Sequence, residues 1–242
     1  MTIWKAGVAL AALMTAAAAH AQTAPESGET TSSQEAGNDI VVVGQAVSFA
    51  NTKVTEAMID RQSALTSVND VLNELPGVLV TEGDAFGSSD WATSITIRGF
   101  TTNRDTQQIG TTIDGLPNGG SGYGGGSRAN RYLDVLNLAT VQVSQGTGDI
   151  ASRSNEALGG TLNYVISDPA QERRLRVVLA GGDYSSRKAY IRADTGEIAP
   201  DTYAWISASA ARSHDWIDGS GHTRRDHIAG KIISKLAGVD LT

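Results

Sequence analysis

The stretch Ser67-Val68-Asn69-Asp70-Val71-Leu72-Asn73-Glu74-Leu75-Pro76-Gly77-Val78-Leu79-Val80 contains a whole helix–stop–strand signal. Ser67 and Asp70 stand three apart, in the register of a capping box. Val68, Val71, Leu72 and Leu75 recur at helical spacing, and Pro76-Gly77 ends the run. Val78 to Val80 then reads as a short strand. Further along, Ile95 and Ile97 alternate with Thr96 and Arg98, a half-buried strand that stops at Gly99. Ile109 to Ile113 gives another strand, closed by the turn signal Asp114-Gly115. Tyr132 to Leu138 predicts a weak helix. Val141 with Val143, then Leu162, Tyr164 and Ile166, predict two final strands. Mixed strands and two short helices describe one small α+β domain with long polar loops.

Upstream of this unit, Met1 to Ala21 reads as a signal peptide: one cation (Lys5), the apolar run Ala6 to Ala19, and the small-residue site Ala19-His20-Ala21. The run is shorter than the roughly 20 residues of a membrane span. The bland alternative is a short helix packed on the domain. Gln22 to Asn38 is a polar tract with almost nothing to bury, which reads as a flexible linker. It gives way to Asp39-Ile40-Val41-Val42-Val43-Gly44, a β-branched strand with no nearby partner. That segment is either the first strand of the following domain or a strand that docks on another protein's sheet edge.

Downstream, from Glu172, alternation sets in over segments of about ten residues, the length of a tilted membrane strand. Leu175, Val177 and Leu179 share one face, opposite Arg174 and Arg176. Ala189, Ile191 and Ala193 oppose Lys188, Arg192 and Asp194. Ala204, Ile206, Ala208 and Ala210 oppose Ser207 and Ser209. Ile228, Gly230 and Ile232 oppose His227, Lys231 and Lys235. A soluble sandwich would bury the aliphatic rows in its own core; a membrane barrel would turn them to lipid. Periodicity alone leaves both open. Arg212 to Thr223 suits an external loop, and Thr195 to Asp201 a periplasmic turn.

The composition of the 242 residues excludes several classes. No cysteine is present, so disulfides, thiol nucleophiles and iron–sulfur clusters are ruled out. A formal charge of −7 argues against a nucleic-acid partner. His214, His222 and His227 lack metal-site spacing. Ser213-His214-Asp215 is no triad, because sequence neighbours point apart. Gly120-Ser121-Gly122-Tyr123-Gly124-Gly125 matches G-x-G-x-x-G, but no helix starts there, which leaves a surface loop. No catalytic constellation, metal site or cofactor site emerges, and an enzyme is not expected.

The ordered motifs resemble the TonB-dependent outer-membrane receptors. Asp70 to Val78 looks like the opening of their plug domain, Ile95-Thr96-Ile97-Arg98-Gly99-Phe100 like its I-x-I-R-G-F element, and Thr112 to Pro117 like its D-G-x-P turn. Val141 to Gly146 and Ala157 to Val165 resemble the strand pair that ends the plug. Gln145 stands where many relatives have arginine. Asp39 to Gly44 sits where the family keeps its TonB box. The resemblance decides the later strands for a barrel. It implies an α+β plug with a mixed sheet, followed by antiparallel transmembrane β-barrel strands of an incomplete barrel. The expected domains are a signal peptide (1–21), a linker with TonB box (22–50), a plug (51–170) and the first barrel strands (171–242).

The implied function is capture and uptake of a small ligand such as a ferric siderophore across the outer membrane. The implied partners are TonB with its inner-membrane energising complex, the chelate, and outer-membrane lipid. Asp39, Ile40, Val41, Val42, Val43 and Gly44 would pair with TonB. Phe86, Trp91, Arg104, Asn118, Tyr123, Arg128 and Arg131, on three loops sharing the plug apex, would face an anionic, partly aromatic ligand. Arg98 and Glu156 would lock plug to barrel wall. Family barrels close about 22 strands, whereas residues 171–242 supply about four, so the expectation is a fragment. The other class is a soluble periplasmic plug-like interaction protein that buries Leu175, Val177 and Leu179 in its own core.

Overall fold

Two sets of β-structure follow from the two sequence patterns, short irregular strands first and long regular ones after. The computed structural model describes residues 51–89, 92–118, 129–146, 152–154, 157–214, 221–236 and 239–241. The signal segment and linker, with Asp39 to Gly44, lie outside these residues. Strand β1 (Asn51–Val54) leads into helix α1 (Glu56–Arg61). The next expected helix is a shorter 3-10 turn, Asp70–Glu74. Its register is set by side chains: the Ser67 hydroxyl accepts from the Asn69 and Asp70 amides at 3.2 and 3.0 Å. Asn73 Oδ1 accepts the Val80 amide at 2.8 Å, tying the turn to the strand after Pro76-Gly77. These local bonds compete with a longer α-helix.

Strands β2 (Val78–Thr81), β3 (Ser94–Ile97) and β4 (Phe100–Thr102) form an antiparallel trio. Ile97 pairs with Phe100 across Arg98-Gly99, and both turn residues have positive φ, +49° and +90°. That backbone is a type I′ hairpin turn, which explains glycine at its second position. Strands β5 (Gly110–Ile113) and β6 (Leu116–Pro117) repeat the device with Asp114-Gly115, at φ +47° and +76°. The expected helix over Tyr132 to Leu138 is instead a short turn α2 (Ala129–Tyr132) and a 3-10 turn Val135–Asn137. Asp134 separates them, in extended conformation, and caps the second through the Leu136 amide. Strands β7 (Leu138–Gln145) and β8 (Gly160–Ile166) complete a mixed sheet in the order β1-β7-β8-β5-β6, with β5 and β8 parallel. Val71, Leu72, Ile95, Ile97, Ile109, Val141, Val143, Leu162 and Tyr164 fill the core beneath it.

The second set is one antiparallel sheet: β9 (Arg173–Gly181), β10 (Arg187–Ala199), β11 (Thr202–His214), β12 (His222–Leu236) and β13 (Val239–Leu241). All four alternating segments are strands, extended a few residues beyond the periodic cores. Their polarity is the reverse of a soluble sheet. Lys188, Tyr190, Arg192, Asp194, Trp205 and Ser207 are buried against the plug. Leu175, Val177, Leu179, Ile206 and Ile228 point away from it, 58–78% exposed. Cross-strand register aligns them into one band: Val177 lies opposite Ile191, Ile191 opposite Ala208, and Ala208 opposite Ile228. A water-soluble sandwich would place these rows inside, whereas here they face outward.

Candidate functional site

The long plug loops were expected to present ligand-facing side chains, and the structure distributes them unevenly. Asp84 folds its loop by accepting amide hydrogens from Phe86, Ser88 and Ser89 at 2.9, 3.0 and 2.6 Å. That turn drives Phe86 inward, and its ring is 3% exposed. It lines a crevice with Val68, Val135, Ala211 and Arg225, between plug and wall. Phe86 is therefore a packing residue in this structure, because its apolar ring gains more from the seam than from the loop surface. Arg104 sits on a tight loop in which Asn103 Oδ1 accepts from Asp105 and Thr106, and its Nε lies 3.8 Å from Asp105. Asn118 follows β6, and its amide donates to the Thr111 carbonyl at 2.8 Å. Its own Nδ2 is buried without a hydrogen-bond acceptor among the described residues. Arg131 is exposed on α2. Trp91, Tyr123 and Arg128 lie outside the described residues.

Arg98, expected as half of a plug–wall lock, occupies the exposed first position of the β3–β4 turn. Glu156 lies outside the described residues. A dense set of polar contacts between plug and wall runs through other residues. Asp134 Oδ1 receives Lys188 Nζ at 2.8 Å and the Leu136 amide at 3.0 Å, and Oδ2 receives Ser209 Oγ at 2.7 Å. Burial by itself would raise the Asp134 carboxyl, but the Lys188 ammonium and these hydrogen bonds hold it below the usual carboxylate range. Arg225 donates to three plug carbonyls, those of Phe86 (3.2 Å), Asn130 and Leu133. Tyr190 OH donates to Asn137 Oδ1 at 2.7 Å, and Asn137 Nδ2 donates to Ser207 Oγ at 2.9 Å.

The other end of the seam is built around the residues that join plug to wall. Trp205 Nε1 donates to the Ser167 carbonyl at 2.9 Å. Arg192 stacks 4.4 Å from the centre of the Trp205 ring, donates to Ser167 and to the Asp168 carbonyl, and pairs with Asp194 at 2.8 Å. Lys231 reaches Asp114 at 3.3 Å and Asp168 at 3.0 Å. Between α1 and the wall, a polar crevice of about 430 Å³ is lined by Asp60, Asp168, Arg174, Arg176 and Arg192 among others. The inward faces of β10 to β12 were readable in the alternation. Their plug partners were not, since Asp134 and Lys188 are 54 positions apart and Asn137 and Ser207 are 70 apart.

One carboxyl outside the seam is strongly perturbed. Glu82, at the start of the loop that holds Phe86, is pushed up to about 7 by burial, with the Asp70 and Asp84 charges adding to it and the Ser67 hydrogen bond opposing it. Ser67 Oγ donates to Glu82 Oε1 at 2.7 Å. Among the described residues no three His, Asp or Glu side chains converge as metal ligands. The features in place are a loop-bearing face and a polar seam that joins the plug to a sheet at its side.

Comparison with known proteins agrees with this architecture. Residues 44–161 match the family model of the TonB-dependent receptor plug domain. A hemin receptor of Yersinia enterocolitica is 28% identical over 166 residues, covering 69% of this chain and 21% of the relative. The ferripyoverdine receptor of the outer membrane of Pseudomonas aeruginosa superimposes with TM-score 0.61 at 22% identity, over 77% of this chain and 23% of that one. The ferric-catecholate import receptor of E. coli K12 gives TM-score 0.58 at 21% identity, over 77% and 24%. The chain thus spans about a fifth of the length of the curated relative. The fold of plug and adjoining antiparallel strands is shared with these barrels. Residues 44–161 are thus a TonB-dependent receptor plug domain, and the sheet that follows it shares the fold of the strands adjoining that domain in these solved receptors.

Proposed function

We propose that this chain supplies the plug and the first wall strands of an outer-membrane receptor for a small iron chelate, with uptake energised by TonB. The observation that carries this reading is the reversed polarity of β9 to β12, with charges toward the plug and aliphatics outward. Such a wall is stable only where lipid covers the outer face. The hemin and siderophore ligands named for the relatives favour a ferric siderophore or heme as cargo. Arg104, Asn118 and Arg131, with Trp91, Tyr123 and Arg128, supply donors and rings for such a ligand. Asp39 to Gly44 adds a strand to TonB in the periplasm, and the pull is resisted by the Asp134–Lys188 and Arg225 contacts until the plug yields.

Capture by the periplasmic domain of TonB tests this. Deleting residues 39–44 is expected to abolish capture while leaving the protein in the outer-membrane fraction. Undiminished capture by the deletion variant, or recovery of the protein only from the soluble periplasm, contradicts the reading.

A further inference from the structure

Three arginines stand side by side on the outward face of the wall. Arg187 of β10 lies directly opposite Arg212 of β11, and Arg212 lies directly opposite Arg224 of β12. All three fall on the same face as Ile191, Ile206 and Ile228, and they sit where the aliphatic band ends. Directly opposed side chains on neighbouring strands are about 5 Å apart at Cβ, so like charges in this row repel unless an anion joins them. One carboxylate does so in part: Asp226 receives Arg212 at 2.8 Å and Arg224 at 2.7 Å. Arg187 pairs with no carboxylate among the described residues. Three guanidinium groups and one carboxylate leave a net positive row against an apolar band.

We infer that this row binds the phosphate groups of a phosphorylated glycolipid in the outer leaflet, a reading that rests on the wall being a membrane wall. Guanidinium forks match phosphate oxygens bidentately, and the aliphatic band below them offers a bed for acyl chains. Arginine on a lipid-facing strand costs roughly 2–4 kcal/mol at mid-membrane but little at the interface, so the rim is where such a row is tolerated. The leaflet follows from the connections. This end of the sheet carries the link between His214 and His222, whereas the far end of β10 and β11 closes through Pro200-Asp201 alone. Outer-membrane barrels keep their longer connections outside. Tyr184, 57% exposed on the β9–β10 turn at the same end, supplies an interfacial aromatic.

The test uses the receptor carrying this sequence, extracted from outer membranes in detergent and titrated with three lipids: diphosphorylated lipid A, dephosphorylated lipid A, and phosphatidylglycerol. The diphosphorylated form is expected to bind at least about tenfold more tightly than either of the others. R187Q/R212Q/R224Q is expected to lose that preference, and R187Q alone, which breaks no described ion pair, to weaken it severalfold. Equal binding of the dephosphorylated lipid, equal or tighter binding of phosphatidylglycerol, or an unchanged preference in both variants overturns the inference while the wall reading stands. A wild-type protein that remains folded and monomeric without detergent overturns both.

Discussion

Asp134 of the plug and Lys188 of the wall meet at 2.8 Å, with 3% and 7% of their side chains exposed. An ion pair this buried costs heavily when only one member is removed, because the other is left uncompensated. Asp134→Asn is therefore expected to loosen the plug by about 3–5 kcal/mol, read as a lower melting temperature and faster proteolysis of the plug. Joint replacement by Leu and Met should recover most of the loss. Because the Asp134 carboxyl is held below its ordinary 3.8, its contribution is present above that pH and is lost as acid protonates it below.

Glu82 has the opposite sign. Its carboxyl is raised from 4.5 to about 7, so the folded plug holds this proton more tightly than the unfolded chain does. Stability contributed by this group is present below pH 4.5 and declines as pH rises to about 7. The full swing is at most roughly 3 kcal/mol. Glu82→Gln keeps the Ser67 contact and removes the titration. The gap between variant and wild-type melting temperatures should open between pH 5 and 7 and stay constant above about 7.5; a pH-independent gap contradicts the assignment.

Gly160 pairs with Gln145 at the start of β8 with φ +130°, and a β-carbon there would lie 2.0 Å from the Ser144 carbonyl oxygen. Neither the backbone angle nor the neighbouring strand can give way cheaply. Gly160→Ala should cost about 2–4 kcal/mol and expose the β7–β8 amides to hydrogen exchange.

Ile206 stands at the middle of the outward band, opposite Ala193 and Gly230, and is 61% exposed. On a water-facing sheet, Ile206→Arg would change stability by less than about 0.5 kcal/mol. On a lipid-facing wall it should cost roughly 2–4 kcal/mol and deplete the protein from the outer membrane. Quantitative blotting of membrane fractions separates the two.

The strands were the most legible part of the molecule, because period-two alternation is a local property. Leu175, Val177 and Leu179 declared their shared face in sequence, and the direction of that face followed from the plug motifs. The short helices were less legible. Ser67 and Asn73 spend their side chains on nearby amides, which shortens the expected helix to one 3-10 turn. Asp134 interrupts the second expected helix for the sake of Lys188 and Ser209, partners that no local pattern reveals. The same applies to Phe86: a ring on a polar loop looks free until a wall strand arrives to cover it.

The alternation in β9 to β12 has a consequence for how such a chain reaches its destination. Apolar residues occupy every second position, so no run of some 20 builds up of the kind that arrests a polypeptide during secretion. An extended, unpaired strand is amphipathic on average and passes as soluble cargo. Its greasy surface comes into being only when neighbours pair and the rows fall into register. On the proposed outer-membrane reading, one sequence thereby escapes retention at the first membrane and becomes competent for insertion at the second.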